Sequence, residues 1–331
     1  MKISIQEIKD LCITKAQEKG LTKEQAEILV EEYLDGELRG RKCHGFAAFP
    51  KFAIKKLKTF GKDPKIIKEE DCYMLVDGQG GMGQLVLHDI FPKLIEKAKA
   101  KGIAMLGIHN MHSYLMPGTY ARKAAENDLI AEIYNYGGAP RICPTGSIDP
   151  IFATNPIAVG IPTNDSPVVI DMATSAIAMG KVRLAKRLGE KLPQRVAVDK
   201  DGNSTTNPAE AMDGAILPFD GHKGSALAFM VEVFSRALFD IPIPDVKGEN
   251  PDVKGSRGFL FILFDPSKFG DLSTYKSNVS DLIKKIKNSR KAKGVEEIFV
   301  PGEHSDKLRQ ENLKKGYLEI EDKLIEDIKA L

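Results

Sequence analysis

A mixed α/β (α+β) fold is what this sequence predicts, and three observations carry the prediction. Two capping boxes open helical periods near the N-terminus. From Cys72 onward, apolar runs of strand length alternate with helical periods, which excludes a plain bundle or a plain barrel. Hydrophobic residues make up 42% and charged residues 28%, the proportions of an ordinary globular protein with a core. At 331 residues the chain exceeds the usual single-domain size, so two domains or one large α/β unit are expected.

The elements follow in order. Ser4 with Glu7, and Thr22 with Gln25, place helices at about 5–18 and 23–40. Pro50 can start a third at about 51–60, which Gly61 stops. "CYMLVD" (72–77) reads as a strand, 84–100 as a helix, "GIAMLGI" (102–108) as a strand, 119–128 as a helix and "LIAEIYN" (129–135) as a strand. The stretch 136–156 is dense in Gly, Pro, Ser, Thr and Asn, and irregular segments of that length inside a compact protein are commonly functional. "PIAVGIP" and "PVVIDMA" then read as strands, about 175–188 as a helix, "RVAVD" (195–199) as a strand, and about 223–240 as a strongly apolar helix. "FLFILFD" (259–265) is a strand, 281–294 a basic helix, "EIFV" (297–300) a short strand, and the C-terminal segment ends in a helix. No internal repeat is visible.

A net charge of +2, with basic residues interleaved with acids, gives no electrostatic footprint for nucleic acid. The run 281–294 carries apolar residues at helical spacing and reads as a solvated helix face. Cys12, Cys43, Cys72 and Cys143 are scattered without a C-x-x-C pair, so reduced thiols are expected. The N-terminus lacks the apolar core of a signal peptide, and no run of about 18 apolar residues offers a membrane span. A cytoplasmic location is the resulting expectation.

Gly78, Gly80 and Gly83 stand in the spacing G-x-G-x-x-G between a strand and a helix. In a dinucleotide-binding unit an acid about 20 residues on, at the end of the next strand, holds the ribose. Here that strand runs into His109, Asn110, Met111 and His112, so a structural glycine turn is favoured. His44 follows a helix and precedes Gly45, a place for an exposed imidazole whose pKa suits proton transfer near neutrality. The bland alternative is a surface histidine. Cys43 beside His44 suggests a thiol nucleophile, but neighbours in extended chain point to opposite sides. His109 and His112 lack the further ligands of a zinc set, and no metal is expected. His222 and Lys223 open a helix and either set a cation and amide donors against a phosphate or simply cap it. The residues alone thus describe an α/β protein suited to a small anionic ligand.

Assembled, the motifs resemble the type 2 malate/L-lactate dehydrogenase family, from end to end. They are "RGRKCHG" (39–45), "VDGQGGMGQ" (76–84), "NMHSYLMPGTYA" (110–121), "ATNPIAVGIP" (153–162), "VIDMATSAIAMGK" (169–181), the long segment 192–238 and "VPGEH" (300–304). The resemblance implies an oxidoreductase that moves hydride between NAD or NADP and a 2-oxo acid, a 2-hydroxy acid or a cyclic imine acid. It also implies a mixed-sheet cofactor domain that is not a Rossmann fold, at 76–299. A helical dimerisation and substrate domain, 1–75 with 300–331, and a homodimer would go with it. His44 matches the proton donor, with Cys43 in place of a neighbouring family Ser. Thr154, Met179 and Gly180 fall at substrate-contacting positions. Asp171, Met172, Ala173, Thr174, Ser175, His222, Lys223, Gly302 and Glu303 fall at cofactor positions, and His112 would lie near both the nicotinamide and the substrate.

Four departures cluster at the substrate side. The family Arg four residues after the His, which pairs with the substrate carboxylate, is Ala48, and Cys43 is a weaker hydrogen-bond partner than Ser. The loop "HSYLMPGTY" holds one residue more than the family pattern, and "CPTGSIDP" replaces a Pro-Trp-Gly-Gly-like segment. Either another cation (Arg41, Lys42, Arg141 or Lys181) has taken the carboxylate, or the substrate is larger or less simply anionic than malate or lactate. Two alternatives stay open: a cyclic imine (ketimine) reductase, and a dinucleotide-binding homologue without catalysis.

Overall fold

The computed structural model describes residues 1–52, 63–136, 138–241 and 257–331. Ser4 and Thr22 cap α1 (Ile5–Glu18) and α2 (Lys23–Leu38), and both capping boxes are complete. The N-terminal strand β1 (Lys2–Ser4) pairs with β11 (Tyr317–Glu319), next to α10 (Glu303–Lys315) and α11 (Asp322–Lys329), so the two chain ends share one unit. Ile8, Leu29, Tyr33, Phe46 and Phe49, the last opening α3 (Phe49–Phe52), pack with Leu318, Ile325 and Ile328 into a helical core.

The second core lies on a seven-stranded mixed sheet, ordered β2–β3–β4–β10–β5–β6–β7. The strands are β2 (Lys65–Glu69), β3 (Tyr73–Asp77), β4 (Ile103–His109), β5 (Ile130–Tyr136), β6 (Ile157–Ile161), β7 (Val168–Met172) and β10 (Gly258–Phe264). The apolar run of β10 runs antiparallel between β4 and β5, buried among its neighbours. One face is covered by α4 (Gly83–Lys101) and α5 (Pro117–Glu126), with Phe91, Tyr114, Tyr120 and Phe261 meeting edge-on or tilted. A smaller cluster joins α6 (Met179–Leu188) and α7 (Pro208–Asp213) to β8 (Ala197–Val198) and β9 (Ala215–Ile216). The remaining helices are α8 (His222–Ser235) and α9 (Leu272–Lys287).

Among the described strands only β3 and β4 pair in parallel within the large sheet, which is not the all-parallel dinucleotide-binding arrangement. The glycine turn between β3 and α4 has a packing role. A methyl group on Gly78 would stand 2.4 Å from Met111 Cβ, and one on Gly83 would stand 2.6 Å from the His112 carbonyl oxygen. Glycine lets the 110–114 segment lie directly on the turn.

Several local expectations are corrected. Residues 297–300 form no strand; they run to Pro301, whose carbonyl accepts from Val169 N–H. The helix expected from 175 starts at Met179, because Ser175 is held in an isolated bridge with Pro218. The apolar helix stops at Ser235 and continues as a 3-10 turn, Ala237–Phe239. The basic helix starts earlier, at Leu272, capped by Asp271. Beyond Phe52 the helix expected at about 51–60 lies outside the described residues.

Candidate active site

His44 is positioned by α2. Where that helix ends, Arg41 N–H donates to the Gly36 carbonyl (2.8 Å), and His44 N–H donates to the Arg41 carbonyl (2.7 Å). These bonds close a 3-10 turn over Lys42–His44. The His44 carbonyl lies directly on Gly36, where a methyl group would come within 2.6 Å of the oxygen. Glu37, the next residue, is buried and accepts from Phe46 N–H (3.1 Å), so its carboxylate bridges helix and turn. Burial pushes the Glu37 pKa up, opposed by the Phe46 N–H and by nearby Lys42.

Two expectations about this turn are corrected. Because the segment is a 3-10 turn and not extended chain, Cys43 Sγ lies 3.3 Å from His44 Nδ1, on the same side. Burial raises the Cys43 pKa, so the group beside the imidazole is a thiol, not a nucleophilic thiolate. The imidazole itself is half-buried, and burial together with the nearby Arg41 guanidinium takes its pKa down to about 4, not near neutrality. In the free protein the His44 imidazole is therefore neutral near pH 7.

Around the turn the structure gathers several of the expected residues. The first turn of α6 packs on it: a methyl group on Gly180 would be 3.0 Å from Cys43 Cβ, which places Met179 and Gly180 beside the imidazole. Ala178, which precedes α6, offers no side-chain cap, leaving the first N–H groups of that helix without a side-chain acceptor. Arg41 also faces Asp171 at the end of β7; burial raises the Asp171 pKa, opposed by the Gly118 N–H (3.0 Å) and by Arg41. A cavity of about 320 Å³ opens here, lined by Arg41, Asp171, Met172, Gly302, Arg122 and Gly118 among others.

The remaining expected residues extend away from that cavity. Thr174 donates through both its N–H (3.0 Å) and its Oγ1 (3.2 Å) to the Thr154 carbonyl, joining the 171–175 segment to the 153–156 loop. Phe219 N–H donates to the Thr174 carbonyl, which brings the segment carrying Ala173 and Ser175 toward the start of α8. There His222 and Lys223 are exposed, and Lys223 pairs with Asp220 at 2.7 Å. His112 donates its backbone N–H to Gly81, next to the glycine turn. Glu303 is engaged by Lys287 and accepts from Val300 N–H, which fixes the Gly302 turn on β7. Ala48 is 4% exposed, its methyl group in the helical core, so position 48 has no polar group to offer a ligand.

Sequence reading missed the ion cluster in the cavity wall, in which Asp306 takes both Arg39 and Arg122, and Asp35 takes Arg39 and Arg309. Its members are spread from 35 to 309, and no local spacing announces them. It also missed Gly118, which lies on Asp171, and Arg183 on α6.

The site suits a dinucleotide on observations of its own. Ser175 Oγ is buried with no hydrogen-bond partner among the described residues, at the middle of the 171–223 path. α6 and α8 both begin without a side-chain cap, and amide groups at helix starts favour phosphate. Among the described residues no group of three or more His, Cys, Asp or Glu side chains forms a metal-ligand set. No described helix is long and apolar enough to cross a membrane.

Comparison with known proteins bears directly on this site. A family model described as malate/L-lactate dehydrogenase matches residues 3–329. The malate/(S)-sulfolactate dehydrogenase of Methanothermus fervidus is 37% identical over 337 residues, covering 100% of this chain and 97% of that protein. A Δ1-pyrroline-2-carboxylate/Δ1-piperideine-2-carboxylate reductase of Pseudomonas putida is 35% identical over 244 residues, covering 72% and 71%. In three dimensions the sulfolactate dehydrogenase of Methanocaldococcus jannaschii superposes with a TM-score of 0.89 at 33% identity, covering 100% and 96% of the two chains. The Δ1-piperideine-2-carboxylate reductase of Pseudomonas syringae does so with a TM-score of 0.85 at 29% identity, covering 100% and 99%. The chain belongs to the malate/L-lactate dehydrogenase family and is an oxidoreductase that acts on CH–OH or C=N groups with a nicotinamide cofactor.

Proposed function

We propose that this enzyme interconverts a 2-oxo acid and a 2-hydroxy acid, with His44 as proton donor and acceptor. The observation that carries the reading is the packing of the His44 turn between α2 and the Gly180 turn of α6, with Arg41 linking it to Asp171 and the cavity. When bound, NAD or NADP supplies or takes up the hydride. In reduction the carbonyl carbon gains that hydride, the π pair moves to oxygen, and the imidazolium of His44 protonates the oxygen; one proton is consumed. In oxidation neutral His44 removes the hydroxyl proton, the state in which burial and Arg41 hold it. An anionic substrate near Arg41 offsets that guanidinium's field and favours imidazolium, which suits reduction.

The cofactor is assigned to the 76–299 sheet unit, held by Asp171 to Ser175, His112, His222 and Lys223, with Gly302 and Glu303 closing from the helical unit. The helical unit, 1–75 with 300–331, supplies His44 and the subunit contact. To that subunit contact the sheet unit would add α8, which exposes Phe229 (62%) and, just past its end, Leu238 (61%), beside Val233 and Phe234, an apolar surface that supports a homodimer. Reduction of a cyclic imine acid is a second reading, favoured by the two reductase relatives, and His44 would then protonate nitrogen.

Loss of NADH or NADPH absorbance against a panel of 2-oxo acids and cyclic imine acids, with His44→Ala alongside, tests both. Turnover of 2-oxo acids that disappears in the variant supports the main reading, and turnover of imines alone supports the second. Unchanged turnover in His44→Ala would overturn the assignment of the proton donor.

A further inference from the structure

Ala48 leaves the substrate's acidic end without the arginine that the resemblance implies, and its burial in the helical core leaves no room there for a guanidinium. Four cations stand near enough by sequence to compensate, and their surroundings differ. Lys42 faces the buried Glu37 carboxylate, and Arg41 faces Asp171. Lys181 is exposed and faces the Cys43 thiol. Arg141 is half-buried and faces another cation, Arg183. Among the described residues no carboxylate comes within ion-pair distance of either guanidinium.

The backbone makes this pairing persistent. Arg141 N–H donates to the Phe152 carbonyl (2.7 Å), and its own carbonyl accepts from Ile216 N–H (2.8 Å), while the Ile216 side chain packs in one apolar cluster with Val182 and Ala185, the residues of α6 on either side of Arg183, so the two segments converge there. Arg183 lies three residues beyond Gly180, on the same face of α6 and one turn further along. Helical side chains lean toward the helix N-terminus. A long side chain at 183 therefore leans back over Gly180, which has no side chain of its own and touches the Cys43–His44 turn. Two guanidinium groups brought together from separate segments, one of them partly desolvated, repel unless an anion lies between them. Burial and Arg183 together hold the Arg141 pKa below its ordinary value, as expected for such a pair without its anion.

We propose that Arg141 and Arg183 form the substrate's anion clamp, gripping an acidic group carried beyond the reacting carbon and so determining specificity from the sheet unit instead of from position 48. The planar forks suit a carboxylate or a sulfonate, each of which accepts paired N–H bonds. Arg41, whose charge acts on His44 and which lines the cavity, remains for the carboxylate attached to the reacting carbon. The clamp rests on the 2-oxo acid reading for its place in the reaction, but not for its ability to bind a dianion.

The test is calorimetric titration of the full chain with malonate and with acetate, with and without NADH, for the native protein, Arg141→Gln, Arg141→Lys and Arg183→Ala. Malonate should bind the native protein at least about tenfold more tightly than acetate, and Arg141→Gln should lose about tenfold in malonate affinity while keeping that for acetate and NADH. Arg141→Lys should retain part of the binding, because charge remains while the fork is lost. Arg183→Ala, an exposed change that leaves the fold alone, should weaken malonate in the same direction. With a 2-oxo acid bearing a second acidic group, Arg141→Gln should raise KM about tenfold and change kcat by less than about threefold, sparing a monoanionic 2-oxo acid. Equal malonate affinity in the native protein and both neutral variants, or no malonate binding at all, would overturn the clamp. Malonate binding that depends on Arg141, without turnover of any 2-oxo acid, would leave the clamp standing and remove the 2-oxo acid reading.

Discussion

The His44 turn and the pairing of Arg141 with α6, whose first turn packs on Cys43, are built on opposite terms. At the His44 turn each neighbour answers another: the His44 carbonyl fits the bare Gly36, Glu37 accepts from Phe46, and Cys43 lies against the imidazole. At the pairing, Arg141 and Arg183 meet as like charges, Ser175 Oγ is without a partner among the described residues, and α6 starts uncapped. One side is satisfied by its own neighbours, and the other leaves like charges and an unpartnered hydroxyl side by side. Under the proposed roles, the proton-transfer group can stay rigid while the surface that grips the substrate changes, because the two are held by different elements.

The largest way to break that contrast is His44→Ala. Loss of a positioned proton donor should lower kcat by about 10²–10⁴-fold while NADH affinity, read by titration, stays unchanged. Next comes Gly36→Ala. The added methyl would lie 2.6 Å from the His44 carbonyl oxygen. Displacing that backbone should outweigh the roughly 1 kcal/mol by which Ala favours a helix over Gly. A net loss of about 1–2 kcal/mol in denaturant unfolding, with kcat reduced and NADH binding retained, is expected. A more stable Gly36→Ala protein would show that the turn is looser than its packing indicates.

The response to pH sharpens the contrast through stability and rate together. The His44 pKa lies at about 4 in the folded protein against an ordinary 6.5, so between these values the unfolded chain binds a proton that the folded one does not. Its contribution to stability is therefore full above pH 6.5 and is lost as pH falls to about 4. His44→Gln should flatten that part of the stability curve. In catalysis, kcat/KM for reduction should rise by about tenfold per pH unit from pH 8 down to 5, while that for oxidation stays level, since the free enzyme's imidazole is neutral throughout. A bell centred near pH 7 in both directions would contradict it. The smallest effect is expected for Cys43→Ser, which exchanges one neutral hydrogen-bonding group for another. Its kcat should change by less than about threefold, whereas a nucleophilic thiol would lose nearly all activity.

Local chemistry alone determined a good part of this protein. Ser4 with Glu7 and Thr22 with Gln25 cap their helices within four residues, and the run 259–264 is too apolar to be anything but buried. Those signals are short-range, so they are legible without a fold. The glycines at 78, 80 and 83 were legible as a turn, although their reason, the 110–114 segment lying on them, was not. The three-residue strands β1 and β11 pair across the whole chain, and β2 is largely exposed at a sheet edge, so neither carries an apolar pattern to read. Tertiary structure alone decided the chemistry of the groups at the site. The position of His44 was visible in "KCHGF", but its low pKa comes from burial and from Arg41, and the thiol's side from a 3-10 turn. The charge pattern on α6 likewise appeared only on folding: 141 and 183 are ordinary arginines in the sequence and come together, without a carboxylate partner among the described residues, because two separate segments converge. Desolvation and long-range Coulomb fields depend on which distant residues end up near one another, and that is what a linear pattern does not contain.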